Sequence, residues 1–224
     1  FKTMAKRLRL SGWRHVAFFR APGLAHTLID IETLGWPSLT ATAEGLEIAA
    51  TCRVVELDRF QAPAEWAASP LLSECCRSFL ASFKIWIQAT VGGNIVMSLP
   101  AGPMISLTTA LEGICTLWPR DAAPREMPVL DFVTGDHRNI LAPGELLRSI
   151  FLPAHALKKR HAFRRFSLTH LGRSETMIIG TLCPEHGEFR LTVTASTLRP
   201  RQFCFPAVPS ADEVRGVIDG IPLE

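Results

Sequence analysis

Two adjacent glycines inside Ala89-Thr90-Val91-Gly92-Gly93-Asn94-Ile95 constrain the fold of this chain more than any other feature. The segment follows a predicted helix over 71–83. It precedes a loop, Pro100-Ala101-Gly102-Pro103, that leads into a second helix. A residue without Cβ reaches φ > 0 at no steric cost, so successive amides there can turn to one side. Such an array of N–H groups is a nest that holds an anion, for example a diphosphate. Thr90 and Asn94 flank the pair and add hydrogen bonding without charge. The simpler alternative is a glycine bend between two elements.

The 224 residues suffice for one large domain or two small ones. Hydrophobic residues make up 47% and charged ones 20%, a balance that builds a core and excludes global disorder. A net charge of +3 does not point to nucleic acid. No apolar run reaches the roughly 18 residues that suggest a membrane span. The basic start, Phe1 to Arg9, lacks the apolar core of a signal peptide. The 6 cysteines form no C-x2-C pair and sit mostly in apolar segments, as small buried hydrophobes of a reducing, cytoplasmic protein. The thiolate spacing of an iron–sulfur site, about C-x4-C-x2-C, is absent, so any cluster belongs to another chain. Neither a P-loop nor a G-x-G-x-x-G fingerprint occurs, and the 7 histidines show no H-x-x-x-H spacing. No metal site is expected. The Phe at position 1 implies that the natural N-terminus lies upstream.

Along the chain, strands are predicted at 28–31, 46–51, 114–118 and 127–130, and in the stretch Gly144 to Pro153. Val54 to Leu57 begins a helix or a bend. From Ser69-Pro70 onward, Leu72, Cys75, Cys76, Phe79, Leu80 and Phe83 recur at helical spacing. A helix over 104–112 ends at Gly113. Lys158 to Phe166 reads as a basic hinge: a solvated linker is the better account of its charges, a nucleic-acid patch the lesser one. After it, strands at 177–182 and 189–195 are joined at Glu185-His186-Gly187, and Ser210 caps a last helix. A boundary near residue 157 separates residues 1–157 from a smaller C-terminal unit, 158–224.

The order of several short motifs adds a resemblance. Ala89 to Ile95 with Pro100-Ala101 resembles the second flavin loop of the molybdenum hydroxylase flavoproteins, the FAD-binding subunits of xanthine dehydrogenase, carbon monoxide dehydrogenase and their relatives. Leu28-Ile29-Asp30-Ile31 followed by Gly45-Leu46-Glu47-Ile48-Ala49-Ala50 resembles that family's LIDI and GLRIGA segments. Gly144-Glu145-Leu146-Leu147 with Ile150 and Leu152-Pro153 resembles its GELLxxIxxP. Phe163-Arg164-Arg165-Phe166 resembles its YRKF.

The resemblance implies an α+β fold of the PCMH type. Two subdomains, about 1–60 and 61–157, would grip FAD, followed by a smaller α+β C-terminal domain at 158–224, with the chain incomplete at both ends. It implies an oxidoreductase subunit that passes electrons from 2Fe-2S clusters through FAD to NAD or another acceptor. Molybdopterin would lie on a large partner subunit and the clusters on a small one. For the site it implies backbone amides of Val91, Gly92 and Gly93 on the diphosphate, helped by the Thr90 hydroxyl. Asn94 would bond near the phosphates or order the loop. Leu147 would pack near the flavin or adenine, and Arg164 or Arg165 would stand near the isoalloxazine. Departures accompany it: Trp86-Ile87 stand where the family has Arg-Asn, and Leu168-Thr169-His170 replace its basic and acidic residues. Pro103 stands where the family has an aspartate, and no first flavin loop is found in Phe1 to Thr27. A degenerate scaffold without FAD and a stand-alone FAD oxidoreductase are the alternatives.

Overall fold

Alternation in Ile114-Cys115-Thr116-Leu117-Trp118 puts Cys115 and Leu117 on one side of a strand, and both are fully buried. The strand lies in a five-stranded sheet in the computed structural model, which describes residues 30–79, 81–169 and 172–221. In chain order come β1 (Leu39–Ala41), β2 (Gly45–Ala49), α1 (Val54–Asp58), α2 (Pro70–Arg77), α3 (Phe83–Trp86), α4 (Val91–Met97) and α5 (Pro103–Ala110). Next are β3 (Ile114–Trp118), β4 (Arg125–Pro128), α6 (Val129–Phe132), β5 (Val133–Gly135), β6 (Arg138–Asn139), β7 (Leu146–Pro153) and α7 (Ala154–Leu157). The last are β8 (Arg160–Phe166), β9 (Thr176–Leu182), β10 (Phe189–Thr194), β11 (Arg201–Phe205) and α8 (Ala211–Ile218).

The first sheet runs β1-β2-β7-β3-β4 and is antiparallel throughout. β7 is central and buries Leu146, Leu147, Ile150 and Leu152. Leu46 and Ile48 of β2 stand opposite Leu152 and Ile150. At Gly45 (φ +152°) a Cβ would lie 2.1 Å from the Leu152 carbonyl oxygen, so the strand crossing admits only glycine. β1 pairs with β2 alone, and β2 pairs on its other side with β7.

The second sheet runs β11-β10-β9-β8, also antiparallel. Between the sheets lies α5, buried at every residue and packed on β9 and β10. A helix apolar on all sides is stable only in such a position. Two of its polar groups are bonded to the second sheet. Ser106 Oγ lies 2.6 Å from Thr194 Oγ1, and Gln202 Nε2 donates to the Thr109 carbonyl at 3.0 Å. The chain crosses from one sheet to the other through α7.

The elements differ from the sequence reading at five places. Positions 28 and 29 lie outside the described residues. Asp30 and Ile31 are not strand, because Asp30 Oδ1 accepts the Glu32 amide at 3.0 Å and starts a 3-10 turn. The helix expected over 71–83 stops at Arg77, where the Ser78 hydroxyl bonds the Glu74 carbonyl at 2.9 Å and Trp86 Nε1 takes the Cys76 carbonyl. The diglycine segment is not a turn between helices but the first turn of α4. Val129-Leu130 turns helical instead of extending β4, with Phe132 fully buried at the end of that turn. Lys158 to Phe166 is no hinge: its period-two pattern, with His161, Phe163 and Arg165 on one face, forms β8.

Candidate functional site: the diglycine turn

Thr90 is extended (φ −105°, ψ 153°) and forms an isolated bridge with Arg53. This places the next amides against the end of β2. Val91 N–H donates to the Cys52 carbonyl at 2.8 Å and Gly92 N–H to the Ala50 carbonyl at 3.1 Å. A Cβ on Gly92 would stand 2.5 Å from Ala50 Cβ and 2.6 Å from its Cα. Gly92 is therefore needed for close approach of helix and strand, with no need for a left-handed backbone. Neither it nor Gly93 has a positive φ, so the expected nest geometry is absent. Asn94 N–H closes the first helical turn on the Thr90 carbonyl at 3.0 Å.

Gly93 differs from its neighbour. It is exposed, and a Cβ there would meet only Thr90 Oγ1, at 2.8 Å. Its amide donates to Thr90 Oγ1 at 3.0 Å, the helix N-cap. That hydroxyl accepts one bond and keeps its own proton available. The polar group open to a ligand on this turn is thus the Thr90 hydroxyl, through its proton, because the Gly93 amide is already bonded to Thr90 Oγ1. Asn94 takes the loop-ordering role: its Oδ1 accepts the Met104 amide at 3.1 Å and secures the start of α5.

The other expected residues are spread over both sheets. Leu147 is 3% exposed, stands opposite Leu117, and belongs to the core of the first sheet. α4 packs against its strand, β7. Arg164 and Arg165 are on β8. Arg165 is half-buried, with Nε on Ser174 Oγ at 2.7 Å and Nη2 on the Gly172 carbonyl. Arg164 is exposed and donates to the Phe163 carbonyl at 2.8 Å. A pocket of about 150 Å³ between Leu130, Asp131 and the stretch Arg199 to Gln202 contains none of them.

Sequence reasoning missed the main charged clusters. Glu112, Lys159 and the Glu188/Arg190 pair meet from three separate segments: Lys159 Nζ lies 2.5 Å and Arg190 Nη1 3.1 Å from the Glu112 carboxylate. No local spacing signals this. Burial works against the Glu112 charge, but the Lys159 hydrogen bond and the Lys159 and Arg190 charges prevail and hold its pKa below the ordinary value. The glutamate of the Gly144-Glu145-Leu146-Leu147 motif is also structural. Both its oxygens accept from Arg125, each at 2.7 Å, and this bidentate bond lowers its pKa. Burial pushes the Cys76 and Cys115 thiols up to about 12, and it also raises Cys52 and Cys75 well above the ordinary thiol range. Among the described residues no group of three His, Cys, Asp or Glu side chains is placed to hold a metal ion.

Residues 20–155 match the family described as FAD binding domain in molybdopterin dehydrogenase. The chain belongs to that family. The fold of this FAD-binding domain agrees with solved structures of such enzymes. Quinoline 2-oxidoreductase from Pseudomonas putida 86 superposes with a TM-score of 0.63 at 19% identity, over 73% of this chain and 56% of that one. Carbon monoxide dehydrogenase from Hydrogenophaga pseudoflava gives 0.64 at 20%, over 73% and 57%. The enzyme from Oligotropha carboxidovorans gives 0.64 at 19%, over 73% and 57%. The chain therefore spans little more than half the length of these chains, and the likeness is one of fold. No curated protein matches the sequence. The FAD-binding domain is mixed α and β, as the PCMH-type expectation required.

FAD fits the turn in part. Thr90 presents a hydroxyl proton beside exposed Gly93, which suits one phosphate oxygen, while the Gly93 amide is held by the cap. The Val91, Gly92 and Asn94 amides are committed within the protein. Pro103, the first residue of α5, is buried and offers no side-chain acceptor.

Proposed function

We propose that this chain is the FAD-bearing electron-transfer subunit of a molybdenum hydroxylase-type dehydrogenase. When bound, FAD would supply the redox chemistry that links one-electron 2Fe-2S clusters to the acceptor, while the protein orients the cofactor and tunes it. In this reading the Thr90 hydroxyl donates to the diphosphate, which approaches from the open side at Gly93. Val91 and Gly92 hold the turn against β2, and Asn94 fixes the following loop. Leu147 shapes the wall beneath the cofactor. Arg165, already ordered by Ser174 and Gly172, is the cation near the flavin ring, where positive charge favours the reduced, anionic form; Arg164 stays in solvent. Molybdopterin and 2Fe-2S clusters reside on a large and a small partner subunit, and NAD or another acceptor takes the electrons. The complex is cytoplasmic. Among the described residues no helix is long and apolar enough to cross a membrane.

The observation that carries this reading is the family match over 20–155, joined to the Thr90 hydroxyl, whose proton is free beside exposed Gly93. The test is flavin uptake. The purified chain, reconstituted with FAD, should show the absorbance of bound flavin, and Thr90→Val should abolish it while the fold persists. A chain that folds and takes up no flavin supports the second reading, a scaffold subunit that keeps the fold and not the cofactor. That reading is favoured by Pro103 and by the committed amides. Copurification of a molybdenum subunit excludes the stand-alone oxidoreductase.

A further inference from the structure

We propose that the free edge of the second sheet, strand β8, receives an acidic extended segment of a partner protein as an added strand. This inference is independent of flavin binding.

No Asp or Glu occurs between Glu145 and Glu175, although the stretch is rich in Lys and Arg. Three of its cations are occupied. Lys159 pairs with Glu112, Arg148 stacks 4.2 Å from the Trp36 ring centroid, and Arg165 is held by Ser174. Lys158, Arg160, Arg164 and Arg173 are exposed, and none has a carboxylate partner among the described residues. Two of them lie on β8 itself.

β8 is the last strand of its sheet and pairs with β9 alone. Among the described residues its backbone makes no hydrogen bond to any other element, apart from the Glu175 amide on the Phe166 carbonyl. An edge strand of this kind carries a row of outward N–H and C=O groups. Arg160, Ala162, Arg164 and Phe166 share one exposed face of it. Phe166 is 61% and Leu168 78% exposed, so an apolar patch continues the cationic one.

Charged side chains on an edge also protect it, and that bears on the choice of partner. A second copy of β8 would set arginines against arginines, and like charges facing each other across strands are unfavourable. The same arginines select a strand with carboxylates opposite Arg160 and Arg164 and an apolar side chain against Phe166. Those arginines are four residues apart, about 13 Å along a strand. The partner's carboxylates therefore recur at i and i+4. A nucleic acid would engage the cations alone and leave the edge amides unpaired.

The full chain is titrated with a fluorescent nonapeptide of alternating Val and Thr with Glu at its third and seventh positions. A matched Lys peptide and an oligothymidylate of nine nucleotides serve as competitors of other chemistry. We expect the Glu peptide to bind and to slow hydrogen exchange at one alternating set of β8 amides. Arg160→Glu should weaken it about tenfold and Arg160→Gln by less, as charge at a partly exposed pair requires. The proposal is overturned if the Lys peptide or the oligothymidylate binds as tightly. It is equally overturned if the β8 amides are unchanged, or if the Glu peptide fails to bind at millimolar concentration.

Discussion

Lys159 Nζ lies 2.5 Å from Glu112 Oε1, and this pair ties the end of α5 to the first residues before β8. Lys159 is 5% exposed at its side chain, and Glu112 sits in the left-handed region at φ 55°. A non-glycine residue in that region is uncommon, and here it ends α5, with the Glu112 amide on the Thr109 carbonyl and the Gly113 amide on that of Thr108. Removing the two partners should have unequal effects. In Lys159→Met, Glu112 keeps Arg190 at 3.1 Å; in Glu112→Gln, buried Lys159 retains only Glu188 at 4.0 Å. Glu112→Gln should cost about 3 kcal/mol and Lys159→Met about 1 kcal/mol, measured by urea unfolding.

Acid should loosen the same region. Glu112 and Glu145 both have pKa values below the ordinary 4.5 in the folded protein. A carboxylate with a depressed native pKa stabilises the fold above its unfolded pKa, and that contribution is lost as pH falls through the native value. Melting temperature should therefore hold steady above about pH 5 and fall below about pH 4. Glu112→Gln should flatten this acid limb; a limb of unchanged slope would sink the assignment.

Gly92 and Gly93 should separate the fold from the site. Gly92→Ala drives a methyl into backbone and Cβ atoms of Ala50, all within 2.7 Å, and should destabilise by about 3 kcal/mol. Gly93→Ala meets only the Thr90 hydroxyl, so stability should change by less than about 1 kcal/mol while flavin uptake falls. Thermal unfolding and flavin absorbance on the same samples test both.

Thr90→Val removes the cap of α4 and should cost about 1 kcal/mol. Thr90→Ser should restore both stability and flavin uptake, because the oxygen that accepts the Gly93 amide returns. A serine variant that is stable but colourless would show that the threonine methyl, not its oxygen, matters.

Thiol labelling should follow burial. In the folded chain, iodoacetamide should modify exposed Cys204 first and half-buried Cys183 more slowly. It should spare Cys52, Cys75, Cys76 and Cys115, whose thiolates are suppressed by desolvation. Mass spectrometry of tryptic peptides reads the order directly.

The sequence carried the elements whose signal is local. Ile114–Trp118 forms the strand its alternation predicts, Ser210 caps α8 with Glu213 at the third position, and Glu185-His186-Gly187 lies between paired β9 and β10. The order of its short motifs also fixed the family. Tertiary structure decided what the sequence left ambiguous. The diglycine reads alike as a free nest or a tight contact, and only the position of Ala50 makes Gly92 the contact and leaves Gly93 exposed. Lys158 to Phe166 reads as a solvated linker because its charges mask a period of two, which β9 reveals by pairing with it. The Glu112, Lys159 and Arg190 cluster is invisible along the chain, since its members are brought together only when the second sheet packs on α5. Periodicity and caps are set by neighbours in sequence, whereas close approach and charge pairing are set by neighbours in space.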